Sequence, residues 1–296
     1  MKFETFDQNH ERLPQPEIAT ETEPREDSSG INEDTVLVDE EHKTFGVFDG
    51  VGGSEAGEAF SRRVSDLVKE TFSLPGIETK LELAREIEAE KIMADQLYAI
   101  NHRIIDEMRR SPGKSSLKPG GGTTGSIVKI IEKGAGVRWA IIGSVGDSRV
   151  YRFTKAKEFT QVTEDDKNYP EGVAEKLDTA TQFNELNEVE KAMFYSRNVV
   201  NKVFGIDFET YSKDKPGAFA TVVTLEAGDS LLITSDGVHD NLTRDQIKQI
   251  LGGNQPESPQ EVVSKIISES KKVSRMDPEK NIRAKKDDMS AVVIRG

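Results

Sequence analysis

The sequence predicts an α+β fold in which two antiparallel β-sheets lie between outer helices. Short apolar segments cluster near residue 40, again between residues 124 and 162, and in the C-terminal third of the chain. Stretches with apolar residues at helical spacing separate these clusters. Strands that cluster in sequence favour a layered antiparallel arrangement over a strictly alternating parallel sheet.

The predicted strands are short, rich in β-branched or aromatic residues, and bounded by charged residues or glycine. They cover residues 34–38, 44–48, 124–131, 137–144, 148–153, 159–162, 218–225, 230–235 and 289–295. Helical periodicity predicts helices at residues 55–74, 78–110, 185–203, 243–251 and 259–273.

The chain is expected to contain one folded domain preceded by a polar segment. Residues 1–28 are acidic and contain three prolines, which is typical of a flexible leader, although residues 2–6 could form an edge strand. Residues 29–296 are expected to form the domain. Within it, residues 164–215 are polar and weakly periodic, which indicates an insertion or flap beside the main sheet.

Composition excludes several functional classes. The 296-residue chain has a formal net charge of −13, which argues against nucleic acid or a membrane surface as partner. It has no cysteine, so disulfides, thiolate-bound zinc and a cysteine nucleophile are excluded. No apolar segment approaches the length of a membrane span. A cytoplasmic, monomeric protein is the simplest interpretation.

Acidic residues stand at the ends of five predicted strands. Asp49, Asp147 and Asp236 each close an apolar segment, whereas Asp34 opens one and Asp287 precedes the last one. A single Asp-Gly pair is typical of a turn. Five acidic strand ends instead indicate a shared divalent cation, because Mg²⁺ and Mn²⁺ prefer carboxylate, carbonyl and water oxygens.

Other catalytic centres fit the sequence poorly. No two of the four histidines have zinc-ligand spacing, and no Gly-x-Ser-x-Gly elbow precedes a helix. The glycine-rich residues 120–125 lack the Gly-Lys-Ser/Thr ending of a nucleotide P-loop, so a tight turn entering a sheet is expected there.

Six motifs in order resemble the PPM, or type 2C, metal-dependent serine/threonine protein phosphatases. They are Asn32–Asp34, Phe45–Gly53, Gly121–Gly125, Val145–Arg149, Leu231–Gly237 and Lys286–Ser290. The resemblance implies a four-layer β-sandwich flanked by helices, with metal ions in a cleft at one end. It also implies hydrolysis of phosphoserine and phosphothreonine in proteins by a metal-activated water.

The resemblance further implies roles for individual residues. Asp49 would bridge two Mg²⁺ or Mn²⁺ ions, and the Gly50 carbonyl would bind one of them. Asp236 and Asp287 would bind the other ion, and these two aspartates with Asp49 would carry catalysis.

The remaining expected ligands lie in two further motifs. Glu33 and Asp34 would support the second ion, directly or through water. Asp147 with Asp236 would form a third-ion site of the kind described for many bacterial members. The expected centre therefore holds two ions, or three if this last site is used.

The sequence departs from the family pattern at three positions. Ser29 stands where an arginine usually grips the substrate phosphate, and Arg25 is the nearest arginine. Val51 replaces a histidine proposed as general acid in many eukaryotic members, and Asp288 replaces a common asparagine and adds negative charge beside the metals.

Two alternatives remain at this point. The first is a catalytically silent phosphatase-like domain that binds phosphoproteins or regulators, which Ser29 would favour. The second is a metal-dependent phosphatase of small molecules or a nuclease, although a nuclease would need a basic groove.

Overall fold

Two antiparallel sheets form the centre of the fold. The computed structural model describes residues 14–26, 30–110, 116–134, 136–167, 169–170, 172–208, 217–253 and 257–296. In this part of the chain, the first sheet has the order β1-β12-β11-β8-β9. Its strands are β1 (Glu17–Glu23), β8 (Arg149–Phe153), β9 (Phe159–Gln161), β11 (Ser230–Thr234) and β12 (Met289–Arg295).

The second sheet has the order β10-β7-β6-β3-β2 in the described part of the chain. Its strands are β2 (Thr35–Asp39), β3 (Thr44–Phe48), β6 (Gly125–Glu132), β7 (Arg138–Val145) and β10 (Phe219–Thr224). A two-stranded ribbon of β4 (Gly50–Val51) and β5 (Gly122–Thr123) continues from the end of β3.

The strands are apolar on both faces because each sheet is covered on both sides. In β11, Leu231 and Ile233 belong to the cluster between the sheets, whereas Leu232 faces the outer helices. In β12, Val292 and Val293 divide in the same way. Successive side chains point to opposite faces of a strand, so a strand in the middle layers needs a continuous apolar segment.

Helices form the outer layers. Against the second sheet lie α1 (Ser54–Phe72), α2 (Pro75–Leu83) and α3 (Glu86–Arg110). Against the first sheet lie α7 (Arg244–Leu251) and α8 (Pro259–Ser274), and capping boxes begin both helices. A short helix, α6 (Asp236–His239), follows β11 directly. The prediction of two antiparallel sheets flanked by helices is confirmed.

The flap region has its own small core. It contains α4 (Val173–Thr179), a 3₁₀ turn at Phe183–Glu185 and α5 (Glu188–Tyr195). Leu177, Leu186 and Phe194 pack there around Ile282, which precedes β12. The predicted helix at 185–203 is thus shorter in the structure, and α4 was not predicted.

Two other predicted elements differ from the structure. The expected helix at 78–110 is broken at Ala84, whose extended backbone separates α2 from α3. Part of the expected leader is the strand β1, which pairs along its length with β12. The possible edge strand at residues 2–6 lies outside the described residues. None of the described helices is both long enough and apolar enough to cross a membrane.

Candidate metal centre

The acidic strand ends converge at one end of the sandwich. Asp49 follows β3 of the second sheet, while Asp236 follows β11 and Asp287 precedes β12 in the first sheet. The negative charges of Asp236, Asp34, Asp287 and Asp147 all act on the Asp49 carboxylate. The structure therefore brings together the five aspartates that the sequence analysis selected.

The first side of this cluster, formed by Asp34 and Asp49, carries strongly perturbed carboxylates. Removal from solvent raises the pKa of Asp49 well above its ordinary value, and the neighbouring aspartates raise it further. Burial likewise raises the pKa of Asp34 well above its ordinary value, although hydroxyl groups of Ser235 and Ser290 oppose this. Both shifts mean that negative charge at this side is unfavourable without a cation.

Two carboxylate oxygens in the cluster are buried and have neither a hydrogen bond nor an ion pair among the described residues. They are Oδ1 of Asp34 and Oδ1 of Asp236. The Ser235 hydroxyl donates to the other oxygen of Asp34 at 2.7 Å. Buried carboxylate oxygens without a donor are costly, so their presence in pairs fits a hard divalent cation.

Hydrogen bonds fix the main chain of Asp49. The Thr124 N–H and the Thr123 hydroxyl both donate to the Asp49 carbonyl oxygen at 2.8 Å. The Asp49 N–H donates in turn to the Thr124 hydroxyl at 3.4 Å. The glycine-rich motif at 121–125 therefore positions Asp49, a role that the sequence analysis did not assign to it.

Glycine is required where the site elements touch. The Gly50 N–H donates to the Glu33 carbonyl oxygen at 3.2 Å, and a Cβ at Gly50 would lie 2.4 Å from the Gly57 carbonyl carbon. A Cβ at Gly237 would lie 1.9 Å from the Asp288 carbonyl oxygen. These contacts bring the Asp49 turn against α1 and the Asp236 turn against β12.

Asp288 has a structural role as well as a charge. Its two carboxylate oxygens accept the backbone N–H groups of Arg25 and Glu33, each at 2.7 Å. Its negative charge also contributes to the raised pKa of Asp34. Asp288 therefore attaches the N-terminal segment, including Glu33, to the start of β12.

The structure describes two residues connected with the other departures from the family pattern, Arg25 and Val51. Ser29 lies outside the described residues. The guanidinium of Arg25 lies 3.6 Å from Oε1 of Glu33, at the edge of the cluster. Val51 is half-buried in β4 and pairs with Gly122.

The sequence analysis missed two lysines. Nζ of Lys285 lies 2.6 Å from Asp236 Oδ2 and 2.8 Å from Asp287 Oδ2. Nζ of Lys167 lies 2.7 Å from Asp147 Oδ2. The only signal in the sequence was their place next to acidic motif residues, because Lys285 lies two positions before Asp287 and Lys167 follows two aspartates of the flap.

These lysines moderate the second set of carboxylates. Burial and the charge of Asp236 raise the pKa of Asp287 to about 7, while Lys285 opposes the rise. Burial raises the pKa of Asp147 to about 6, while Lys167 opposes it.

His239, which no sequence pattern places in the core, is buried. It is the last residue of α6, is 2% exposed, and its Nδ1 lies 3.1 Å from the Thr234 hydroxyl. Burial lowers its pKa well below the ordinary value, and the positive charge of Arg149 lowers it further. The buried imidazole is therefore uncharged near neutral pH.

The side chains do not stand in a ready-made coordination shell. Among the residues that the structure describes, no three carboxylate or imidazole groups surround a metal position. Lys285 bridges Asp236 and Asp287, where the sequence analysis expected one of the ions. The acidic donor set and its two unpartnered oxygens fit divalent ions, but the individual ligand assignments remain predictions.

Known proteins resemble this chain in sequence. A profile of the family "Protein phosphatase 2C" matches residues 20–278. A putative protein phosphatase 2C-type from Streptococcus pyogenes serotype M6 is 31% identical over 205 residues, which are 69% of this chain and 70% of that protein.

Solved structures share the fold. The serine/threonine phosphatase Stp1 from Staphylococcus aureus superimposes with a TM-score of 0.68 at 20% identity, covering 96% of each chain. The catalytic domain of the serine/threonine protein phosphatase PstP, solved with two manganese ions, gives a TM-score of 0.64 at 18% identity, covering 95% of this chain and 97% of that one. The prediction of a phosphatase enzyme is confirmed, and the chain belongs to the protein phosphatase 2C family.

Proposed function

We propose that this protein hydrolyses phosphoserine and phosphothreonine in proteins at a centre of two Mg²⁺ or Mn²⁺ ions. The observation that carries the proposal is the meeting of five aspartates at one end of the sandwich, with two buried oxygens that have neither a hydrogen bond nor an ion pair among the described residues. The manganese ions bound to PstP support the choice of metal.

In this proposal, Asp49 would contribute to holding both ions, the Gly50 carbonyl would help to hold one of them, and Asp236 and Asp287 would help to hold the other. An ion held by Asp287 would take the place of the contact between Lys285 and Asp287. Glu33 and Asp34 support the ion on the Gly50 side. When bound, such ions offset the charge of the phosphate and lower the pKa of a shared water, which then becomes a nucleophile near neutral pH.

The chain itself orients the acidic groups. Hydrogen bonds from Thr123 and Thr124 hold the Asp49 main chain, and the Ser235 hydroxyl fixes one oxygen of Asp34. Lys285 holds Asp236 through one oxygen and leaves the other without a donor among the described residues. The remaining oxygens are therefore available in fixed positions before substrate arrives.

The charge of the site makes cations necessary for substrate binding as well as for chemistry. A phosphate dianion approaching Asp34, Asp49 and Asp287 would meet like charges in a poorly solvated cleft, which repel it.

The monomeric state, the cytoplasmic location and a phosphoprotein substrate, as expected from the sequence, are part of the same proposal.

The test measures hydrolysis of p-nitrophenyl phosphate and of a phosphothreonine peptide with Mn²⁺, with Mg²⁺ and with EDTA. We expect metal-dependent turnover of both substrates by the wild-type protein. Asp236→Asn should lower turnover by more than about 100-fold. Replacing a residue that only orients a metal ligand already lowers metal affinity or activity by about 10- to 100-fold. Asp66→Asn, on the exposed surface of α1, is the matched control and should behave as wild type.

Other outcomes would redirect the proposal. A folded protein that binds Mn²⁺ but shows no turnover with any metal would favour the silent phosphoprotein-binding domain. Turnover of p-nitrophenyl phosphate without turnover of any phosphopeptide would favour a small-molecule phosphatase.

A further inference from the structure

Three buried aspartates meet three basic side chains at the second side of the acidic cluster, which we call the lysine corner. Its members are Asp147, Asp236, Asp240, Lys167, Lys285 and Arg197. Asp147 and Asp236 are the pair that the sequence analysis expected to bind a third ion. The arrangement of the lysine corner therefore decides whether the chain can bind a third ion.

Lys167 pairs with Asp147 away from solvent. Its Nζ lies 2.7 Å from Asp147 Oδ2, and the two side chains are 5% and 3% exposed. The same ammonium group donates to the Arg197 carbonyl oxygen. Although burial disfavours the charged amine, Asp147 and Asp240 raise the pKa of Lys167 above its ordinary value, so the ammonium is retained.

Lys285 joins the other two aspartates of the corner. Its Nζ lies 2.6 Å from Asp236 Oδ2 and 2.8 Å from Asp240 Oδ2, and its side chain is 11% exposed. Because it also reaches Asp287 at 2.8 Å, it can release that residue and still keep two partners.

Arg197 completes the corner from the flap. Its Nε lies 3.4 Å from Asp240 Oδ2, and its guanidinium lies over the Phe194 ring at 4.1 Å. Burial tends to raise the pKa of Asp240, but Lys285, Lys167 and Arg197 together hold it below the ordinary value. The three carboxylates of the corner are thus matched by three fixed cations.

A divalent ion in the corner would have to displace these ammonium groups. Neither lysine can move far into solvent without leaving a buried carboxylate unpaired, and an ion placed beside them would meet two like charges at close range. The orphaned oxygen of Asp34 has no such neighbour, since no described basic side chain forms an ion pair with Asp34 or Asp49.

We propose that Lys167 and Lys285 are the resident cations of the lysine corner, so that Asp147 and Asp240 bind no divalent ion and Asp236 binds none beyond the one it shares with Asp287. The third-ion site expected from Asp147 and Asp236 is then occupied by the protein's own ammonium groups. The proposal depends on the proposed function above in one respect only, which is that two ions bind at the centre around Asp49.

The experiment counts Mn²⁺ bound per chain by equilibrium dialysis with metal analysis, at saturating Mn²⁺. We expect two ions in the wild-type protein and three in the double variant Lys167→Met/Lys285→Met, because removal of both ammonium groups leaves Asp147 without a basic partner and leaves Asp240 with Arg197 alone. Lys286→Met is the matched control, since Lys286 is exposed beside the same strand, and it should bind two ions.

Three ions in the wild-type protein would overturn the proposal, and so would a folded double variant that gains none. If the double variant does not fold, crystals of wild type soaked in Mn²⁺ decide: an anomalous peak on Asp147 or Asp240 overturns the proposal, and peaks confined to the Asp49 side support it. Zero ions in wild type would instead refute the proposed metal centre. In that case, the Mn²⁺ count of the double variant would still show whether removing the two lysines opens a site for an ion.

Discussion

The two sides of the acidic cluster are built from the same residue type but have opposite electrostatics. At the first side, burial and like charges raise the pKa values of Asp34 and Asp49, and no described basic side chain pairs with either. At the lysine corner, basic residues hold the pKa of Asp240 below its ordinary value. Burial alone therefore does not make an aspartate a site for an external cation, because the chain itself supplies cations to some of these aspartates.

This difference also separates carboxylates with a structural role from those that we propose bind metal. Asp240 and its cations form a closed network that should stabilise the folded chain without any metal, because each charge has a partner. Asp34 and Asp49 should cost stability until an ion binds, because their charges repel. Measurements with and without metal can distinguish the two roles.

The largest expected effect is on the lysine corner. Asp240→Asn removes the carboxylate shared by Lys285 and Arg197 and should lower the free energy of unfolding by about 3–5 kcal/mol, the usual cost of breaking a buried ion pair. Urea unfolding in EDTA measures it. Asp66→Asn should stay within about 0.5 kcal/mol. A loss as small as that control would mean that the corner network does not stabilise the fold.

A smaller loss is expected where the Asp236 turn meets β12. Gly237→Ala places a Cβ 1.9 Å from the Asp288 carbonyl oxygen, so the backbone must shift, at a cost of about 1–3 kcal/mol. Thermal unfolding measures it. Gly76→Ala in α2 is the matched control, because a Cβ there meets open space and should stabilise the helix by about 0.5–1 kcal/mol. Equal effects of the two substitutions would contradict the close contact.

The metal-free protein should lose stability as pH rises. The pKa is about 6 for folded Asp147 and about 7 for folded Asp287, and both values lie above the ordinary value of 3.8. Between pH 3.8 and 7, the folded state therefore binds more protons than the unfolded state. Stability from these groups is complete below about pH 4 and is lost as the pH rises past 7. Melting temperatures in EDTA from pH 5 to 8 measure the slope, and added Mn²⁺ should reduce it. A rise of stability with pH would show that ion pairing outweighs repulsion at both residues.

The smallest expected effect has the opposite sign to the first. Asp49→Asn removes one repelling charge with little change of shape and should therefore raise, rather than lower, the free energy of unfolding in EDTA. Turnover in Mn²⁺ should fall steeply at the same time. If this variant is destabilised in EDTA as strongly as Asp240→Asn, the distinction between the two sides of the cluster is wrong.

Much of the fold followed from the sequence because its signals are local. Continuous apolar segments predicted strands buried on both faces, and the final strand, Met289–Arg295, was predicted with the bounds that the structure has. Aspartate followed by glycine marked the strand ends where Asp49 and Asp236 lie. These patterns depend on neighbours a few residues apart, and the sequence contains them directly.

Other features became visible only in three dimensions. Strand β1 lies in a polar, acidic segment, and its pairing with β12 joins the two ends of the chain. The break at Ala84 lies in a polar, continuously helical pattern that gave no signal for it.

For the functional site, too, some features follow from the sequence and others follow only from the tertiary structure. The sequence by itself determined which acidic residues lie at strand ends and, through the order of six motifs, the phosphatase family. Only the tertiary structure decided that Lys167 and Arg197 of the flap and Lys285 before the last strand meet Asp147, Asp236 and Asp240. The reason is that electrostatic energy depends on distance in space and on burial, and neither is encoded by spacing along the chain.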